Sequence, residues 1–252
     1  MSAASVLRLQ IERTLEAHIP AALSPRQQTA YQTASCGIPA VDDLLGGGLP
    51  VGAISEITGA ESSGRTTLAL SFLAQRTSEG QVCAWVDVND TLDPESAAAN
   101  GVALGRLLWV RCADAGTRTN RKLEARLEQA IRAVDLILNA SGFAAVVLDL
   151  GGTAKELASR IPLATWFKFR QAAQHGRASL LVLGRVPYGQ SSSAVMVECA
   201  QERAAGNTTV LKGLRFTVRR ERQRFAQSIS GHRKLPASTW SASSSWDAAR
   251  RA

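Results

Sequence analysis

Residues Gly59-Ala60-Glu61-Ser62-Ser63-Gly64-Arg65-Thr66-Thr67 fit the pattern G-x-x-x-x-G-K-[ST] at every position but one, where arginine stands in place of lysine. The flanks are those such a loop requires. Ala53 to Thr58 reads as a buried strand, and Thr66 onward reads as a helix with Leu68, Leu70, Phe72 and Leu73 on its apolar face. Glycines let backbone N–H groups approach phosphate oxygens, and the helix N-terminus adds partial positive charge. Gly59, Ser62, Ser63, Gly64, Arg65, Thr66 and Thr67 are therefore the candidate phosphate-binding residues, with the Thr66 hydroxyl as a magnesium ligand. Arginine keeps the charge of lysine but is planar, forked and bulkier. The loop predicts a nucleotide-binding α/β fold, and Arg65 raises the question of whether nucleotide is still turned over.

Size and composition narrow the class. The 252 residues suffice for one large α/β domain with short extensions. No apolar run is long enough to span a bilayer, and the first residues lack the layout of a signal peptide. Cys36, Cys83, Cys112 and Cys199 are far apart, and three histidines are scattered, so neither a metal site nor a disulfide framework is expected. These features suit reduced, half-buried thiols and a cytoplasmic protein with no membrane partner.

The net charge of +8 lies entirely in the last part of the chain. From Leu211 onward ten Lys/Arg face two acids, whereas the remainder balances at nineteen of each. A neutral body with a basic C-terminal arm points to a polyanion or an acidic protein partner. Arg219, Arg220, Arg222, Arg224, Arg233 and Lys234 are the candidate DNA contacts. Trp240 and Trp246, isolated in a Ser-rich stretch, are expected to stack on unpaired bases and so to favour single strands.

Along the chain, residues 1–32 read as an amphipathic helix, with Val6, Leu7, Ile11, Leu15 and Ile19 at helical spacing, followed by a polar linker. Residues 33–220 alternate apolar runs with helical patterns, as a mostly parallel central sheet does. In that core Val82 to Val88, Leu107 to Arg111, Ala144 to Leu150 and Ser179 to Leu183 are predicted strands. Asn120 to Leu138 is a long helix, and a second, from Ala154 to Ala173, is broken near Pro162. Ala194 to Cys199 and Leu214 to Arg220 are predicted to form an antiparallel pair. Residues 221–252 form a basic, Ser-rich tail, expected to be poorly ordered from Ser228.

Ala145-Val146-Val147-Leu148-Asp149 is an apolar strand ending in an acid, placed to hold magnesium through water beside the loop. With the segment Cys36 to Gly52, the loop interior Glu61-Ser62-Ser63-Gly64 and the later Leu92-Asp93-Pro94, the sequence resembles the RecA recombinase family over roughly Thr33 to Arg220. The resemblance implies a RecA-like P-loop core, ATP and magnesium as cofactors, Asp93 near the adenine, and DNA, self-association and repair proteins as partners.

The departures fall where the resemblance implies chemistry. The glutamate that polarises the attacking water corresponds to Asn89, the adenine-stacking tyrosine to Ser96, and the glutamine that senses the terminal phosphate to Arg185. Asn89 can hydrogen-bond water but cannot take its proton. The first DNA-binding loop, after Asp149, reads as shortened and the second, after Gly184, as rewritten. Lysine, glutamate, tyrosine and glutamine changed together imply a relative with weak or absent ATPase activity. The segment Gly46 to Gly52 and the basic C-terminal region are similar to the ImuA type of accessory protein in DNA-damage mutagenesis. That group implies an ImuB-like polymerase relative, an error-prone polymerase or RecA as candidate partners, single-stranded DNA as ligand, and a role in the SOS response and translesion synthesis. The alternative is a working DNA-dependent ATPase or recombination mediator, in which Arg65 does the lysine's work.

Overall fold

The computed structural model describes residues 31–112, 120–206, 211–224 and 237–243. The expected N-terminal helix, Arg233, Lys234 and Trp246 lie outside the described residues. The chain divides into Met1–Ala30 and Tyr31–Ala252, and every described residue belongs to the second unit.

In chain order the elements are β1 (Thr33–Ala34), α1 (Pro39–Leu45), β2 (Leu49–Pro50), β3 (Ile54–Thr58), α2 (Arg65–Ser78), β4 (Val82–Asp87), α3 (Pro94–Ala99), β5 (Leu107–Arg111), α4 (Asn120–Ala140), β6 (Phe143–Asp149), α5 (Lys155–Ala158), α6 (Leu163–Gly176), β7 (Ser179–Gly184), β8 (Ser193–Gly206), β9 (Leu211–Gln223) and β10 (Ala237–Ser243). An eight-stranded sheet runs in the order β10-β9-β8-β3-β7-β6-β4-β5. From β8 to β5 neighbours pair parallel, while β9 and β10 add on antiparallel. This is the mostly parallel α/β core the sequence predicts, with the break between α5 and α6 at Pro162.

Both faces of the parallel strands are covered, which is why they read as continuous apolar runs. Ile57, Trp85, Val147 and Leu181 pack with α1, α2 and α3 on one side. Ala84, Val86, Val146, Leu148, Leu180 and Val182 pack with α4 and α6 on the other. All four cysteines are free and buried rather than half-buried, and burial pushes the Cys83 and Cys199 thiols up to about 12. No helix among the described residues is long and apolar enough to cross a membrane.

The C-terminal region departs from the sequence reading. Ala237–Ser243 is a strand in the stretch expected to lack order, paired residue by residue with β9. Period-two alternation explains it: Trp240 is buried, whereas Thr239 and Ser241 on either side are exposed. The Trp240 ring lies 4.6 Å from that of Phe216, centroid to centroid, so it fills the core and is not available to stack on bases. β9 runs to Gln223, so Arg222 lies within a strand and not in the tail expected from residue 221.

Candidate functional site

The phosphate loop leaves the end of β3, which sits between β7 and β8 in the sheet. The Gly59 amide donates to the Gly184 carbonyl at 3.1 Å and ties the loop to the end of β7. Gly59 has φ +154°, and a Cβ there would collide with the Cys199 carbonyl. Gly64 has φ +88°, and a Cβ there would lie 2.7 Å from the Phe216 ring. These are left-handed conformations in filled space, so only glycine fits. Ser62 also takes a positive φ, +60°. α2 starts at Arg65 with no side chain capping it, which leaves its first-turn amides open toward an anion. Ser63 is buried, and its Oγ has no hydrogen-bond partner.

Arg65 folds back on its own loop. Its Nη1 donates to the Gly59 carbonyl at 2.7 Å and to the Ala60 carbonyl at 2.5 Å, while Nε is buried without a partner. An ion pair from Arg65 to Asp149 or Asp87, the contact a long cation among acids suggests, is not made among the described residues. The loop carbonyls lie closer along the chain, and the carboxylates are taken by backbone amides. Gly151 makes this packing possible, because a Cβ there would sit 2.6 Å from Arg65 Nη2 and 3.0 Å from Asp149 Oδ1.

The acidic side comes from the ends of β4 and β6, which are neighbours with Asp87 opposite Asp149. Asp87 is fully buried and accepts the amides of Asn89, Thr91 and Leu92, so it staples the loop after β4. Asn89 donates from Nδ2 to Thr153 Oγ1 at 3.0 Å. Asp93 caps α3, accepting the Ser96 amide at 3.0 Å and the Ser96 hydroxyl at 2.5 Å, and these bonds hold its carboxyl below the usual range. Asp149 is 7 % exposed and accepts the Gly151 amide at 2.8 Å. Burial, reinforced by the Asp87 charge, raises it from 3.8 to about 6, against the lowering effects of the Gly151 amide and Arg65.

A raised carboxyl carries a stability penalty of known sign. The folded state binds the Asp149 proton more tightly than the unfolded state, so stability is fully retained below about pH 4 and falls as pH rises to 6. Asp149→Asn removes the charge and keeps an acceptor for the Gly151 amide. The expected gain is about 2–3 kcal/mol at pH 7.5, vanishing near pH 4. Denaturant unfolding of both proteins at the two pH values checks it, and an equal change at both would contradict the burial argument.

Glu61, Arg65, Thr66, Asp93, Asp149, Gly151 and Gly152 line one cleft of about 410 Å³, walled on its apolar side by Leu70, Trp85 and Leu92. The Trp85 indole nitrogen is buried there without a partner. The cleft thus brings together Arg65, Thr66, Asp93 and Asp149 of the sequence-predicted residues, with Ser96 where a stacking ring is absent. Gly59, Ser62, Ser63, Gly64 and Thr67 lie in the loop and the first turn of α2 and do not line the cleft itself. Arg185, after β7, pairs with Glu61 across the loop. The connections after β6 and β7, residues 150–154 and 185–189, are short turns.

The described arginines of the predicted basic cluster make separate contacts within the protein. Arg219 is held by Glu198 and by Glu221. Arg220 donates to the Leu44 carbonyl at 2.9 Å and to Gln223 at 2.8 Å. Arg222 donates to the Gln190 carbonyl, and among the described members Arg224 alone is exposed without such a contact. Two arginines the sequence reading did not single out stand elsewhere. Arg203 on β8 lies directly opposite Arg215 on β9, and Ser241 on β10 lies opposite Arg215 on its other side. Both arginines are exposed, and neither has an ion pair or hydrogen bond among the described residues. Thr217 and Thr239 form the next row of this face, and no residue of β8, β9 or β10 belongs to the apolar cluster that covers the same side of the parallel strands. Only the register, not composition, reveals this pairing.

Residues 4–155 match the RecA N-terminal domain. Protein RecA of Crocosphaera subtropica is 38 % identical over 140 residues, covering 56 % of this chain and 37 % of that protein. Protein RecA of Nostoc is 37 % identical over 140 residues, covering 56 % and 36 %. Protein RecA of Pseudomonas fluorescens is 38 % identical over 141 residues, covering 56 % and 37 %. The matched region spans little more than a third of the length of these relatives.

Proposed function

Because the chain belongs to the RecA N-terminal domain family, we propose that it is a RecA-like accessory protein of DNA repair that holds ATP without sustained hydrolysis and engages nucleic acid. The observation that carries this reading is Asn89, an amide bound to Thr153 where the resemblance calls for a carboxylate. An amide cannot take the proton of an attacking water. Of the carboxylates lining the cleft, Asp93 is taken by the α3 cap, Asp149 accepts the Gly151 amide and shares the cleft with Thr66, where magnesium would sit, and Glu61 is paired with Arg185 at the mouth.

The residues present suit a nucleotide. Open first-turn amides and the orphaned Ser63 hydroxyl and Arg65 Nε leave donors for phosphate oxygens. Thr66 and Asp149 would hold magnesium, which supplies neutralisation of phosphate charge when bound. ATP binding measured beside ATP hydrolysis tests this part of the reading.

The nucleic-acid part is supported by the β8–β10 face. Like charges directly opposite in a sheet repel, so the unpaired Arg203 and Arg215 favour an anion between them. Arginine with neighbouring hydroxyls, here Ser241, Thr217 and Thr239, is a common phosphate-contacting set. Glu198 and Glu221 on this face are engaged by Arg219. Replacing Arg203 and Arg215 with Gln should weaken single-stranded oligonucleotide binding and reduce its salt slope by about 1.4, roughly 0.7 for each lost phosphate contact. Unchanged affinity and slope, with loss of an acidic protein partner instead, would assign the face to that partner. Truncation after Arg220 would be a poor test, because it removes β10 and uncovers Phe216.

Within the family, the Gly46 to Gly52 segment and the basic C-terminal region favour an ImuA-type role, assisting translesion synthesis beside an ImuB-like polymerase relative.

A further inference from the structure

We propose that Glu61 and Arg185 form a latch over the phosphate loop, in which the Glu61 carboxylate occupies the arginine that a nucleoside triphosphate engages with its terminal phosphate. The inference rests on the reading of the cleft as a nucleotide site. It adds a residue pair that opposes triphosphate binding and distinguishes triphosphate from diphosphate.

The topology places the two side chains. β3 and β7 are parallel neighbours, with Thr58 opposite Gly184. Glu61 follows the first strand and Arg185 the second, so they meet across the mouth of the cleft. Arg185 Nη2 donates to Glu61 Oε1, and Arg185 Nε points to the Gly151 carbonyl at 3.4 Å. Gly151 is also the residue whose missing side chain admits Arg65. Both cations at the loop therefore grip protein oxygens, Arg65 two carbonyls and Arg185 a carboxylate. Among the described residues, Glu61 is the one carboxylate lining the cleft that forms an ion pair.

A guanidinium fork binds carboxylate and phosphate by the same paired geometry, and a terminal phosphate carries more charge than a carboxylate. The pair is solvent-exposed, with side chains 52 % and 74 % accessible, so it is weak and readily exchanged. A diphosphate lacks the group that would take Glu61's place on Arg185. Glu61 thus modestly opposes the triphosphate, which must displace it, and leaves the diphosphate little affected.

The test is a double-mutant cycle read by equilibrium binding of fluorescent ATP and ADP with magnesium. The four proteins are the full chain, Glu61→Gln, Arg185→Ala and the double variant, each checked for an unchanged unfolding midpoint. Glu61→Gln should tighten ATP binding roughly two- to fivefold, with a smaller change for ADP. Arg185→Ala should abolish the preference for ATP over ADP, and Glu61→Gln should then add nothing. If Glu61→Gln tightens both nucleotides equally, or acts equally with Arg185 absent, it works through the general field of the cleft and the latch is refuted. If all four proteins bind ATP and ADP with one preference, the latch falls and the nucleotide site stands. If none binds either nucleotide, the site and the latch fall together.

Discussion

Phe216→Ala should cost about 3–5 kcal/mol of stability, the range for removing a buried aromatic ring. Phe216 is 2 % exposed on β9. One side of its ring fills the space beside Gly64 in the phosphate loop, and the other meets the Trp240 ring at 4.6 Å. Its loss leaves a cavity under the loop and strips β10 of its principal anchor. The loop then loses the surface that excludes any side chain at position 64, so nucleotide affinity should fall with stability. Denaturant unfolding followed by tryptophan emission measures the first effect, and fluorescent nucleotide binding the second. Phe216→Leu should recover much of the stability, since it refills most of the volume. A loss below about 1 kcal/mol for the alanine variant would mean that β10 and the loop are not joined through this ring.

What the sequence revealed and what it hid follow one physical division. The loop was legible because its glycines are demanded by local backbone: Gly59 and Gly64 sit at positive φ, a property of single positions. The parallel core was legible because strands covered on both faces are continuously apolar, as Val146, Val147 and Leu148 are. The partner of Arg65 was hidden, because a guanidinium can reach carbonyls or carboxylates equally and only three-dimensional packing decides. β10 was hidden by composition: Ser and Thr outnumber apolar residues there, and one tryptophan in period two was the whole signal. The basic C-terminal arm reads as free to meet a polyanion, although Arg219 pairs with Glu198 and Arg220 and Arg222 donate to the Leu44 and Gln190 carbonyls. The exposed Arg203 and Arg215 become a pair only through strand register. Charge is additive along a sequence, but whether it is available depends on partners.

The same division bears on chemistry. Arg65, Asn89, Ser96 and Arg185 are visible as single substitutions, and each can be read as loss. In the structure Arg65 and Asn89 have definite partners, Arg65 the loop carbonyls and Asn89 Thr153. Ser96 completes the α3 cap with Asp93, and Arg185 closes on Glu61. Under the proposed reading the cleft holds a ligand, and Asn89 stands where hydrolysis would need a proton acceptor.

ATP binding and ATP hydrolysis, measured side by side on the full chain with magnesium, with and without single-stranded DNA, test the central claim most directly. The absence of a general base alone lowers turnover by about 10²–10⁴ relative to a site that has one. Saturable ATP binding that Arg65→Ala weakens is expected, together with hydrolysis at least that far below an ordinary ATPase and unchanged by DNA. Turnover at ordinary ATPase rates, stimulated by single-stranded DNA and abolished by Arg65→Ala, would contradict it and establish a working enzyme in which arginine has replaced the loop lysine.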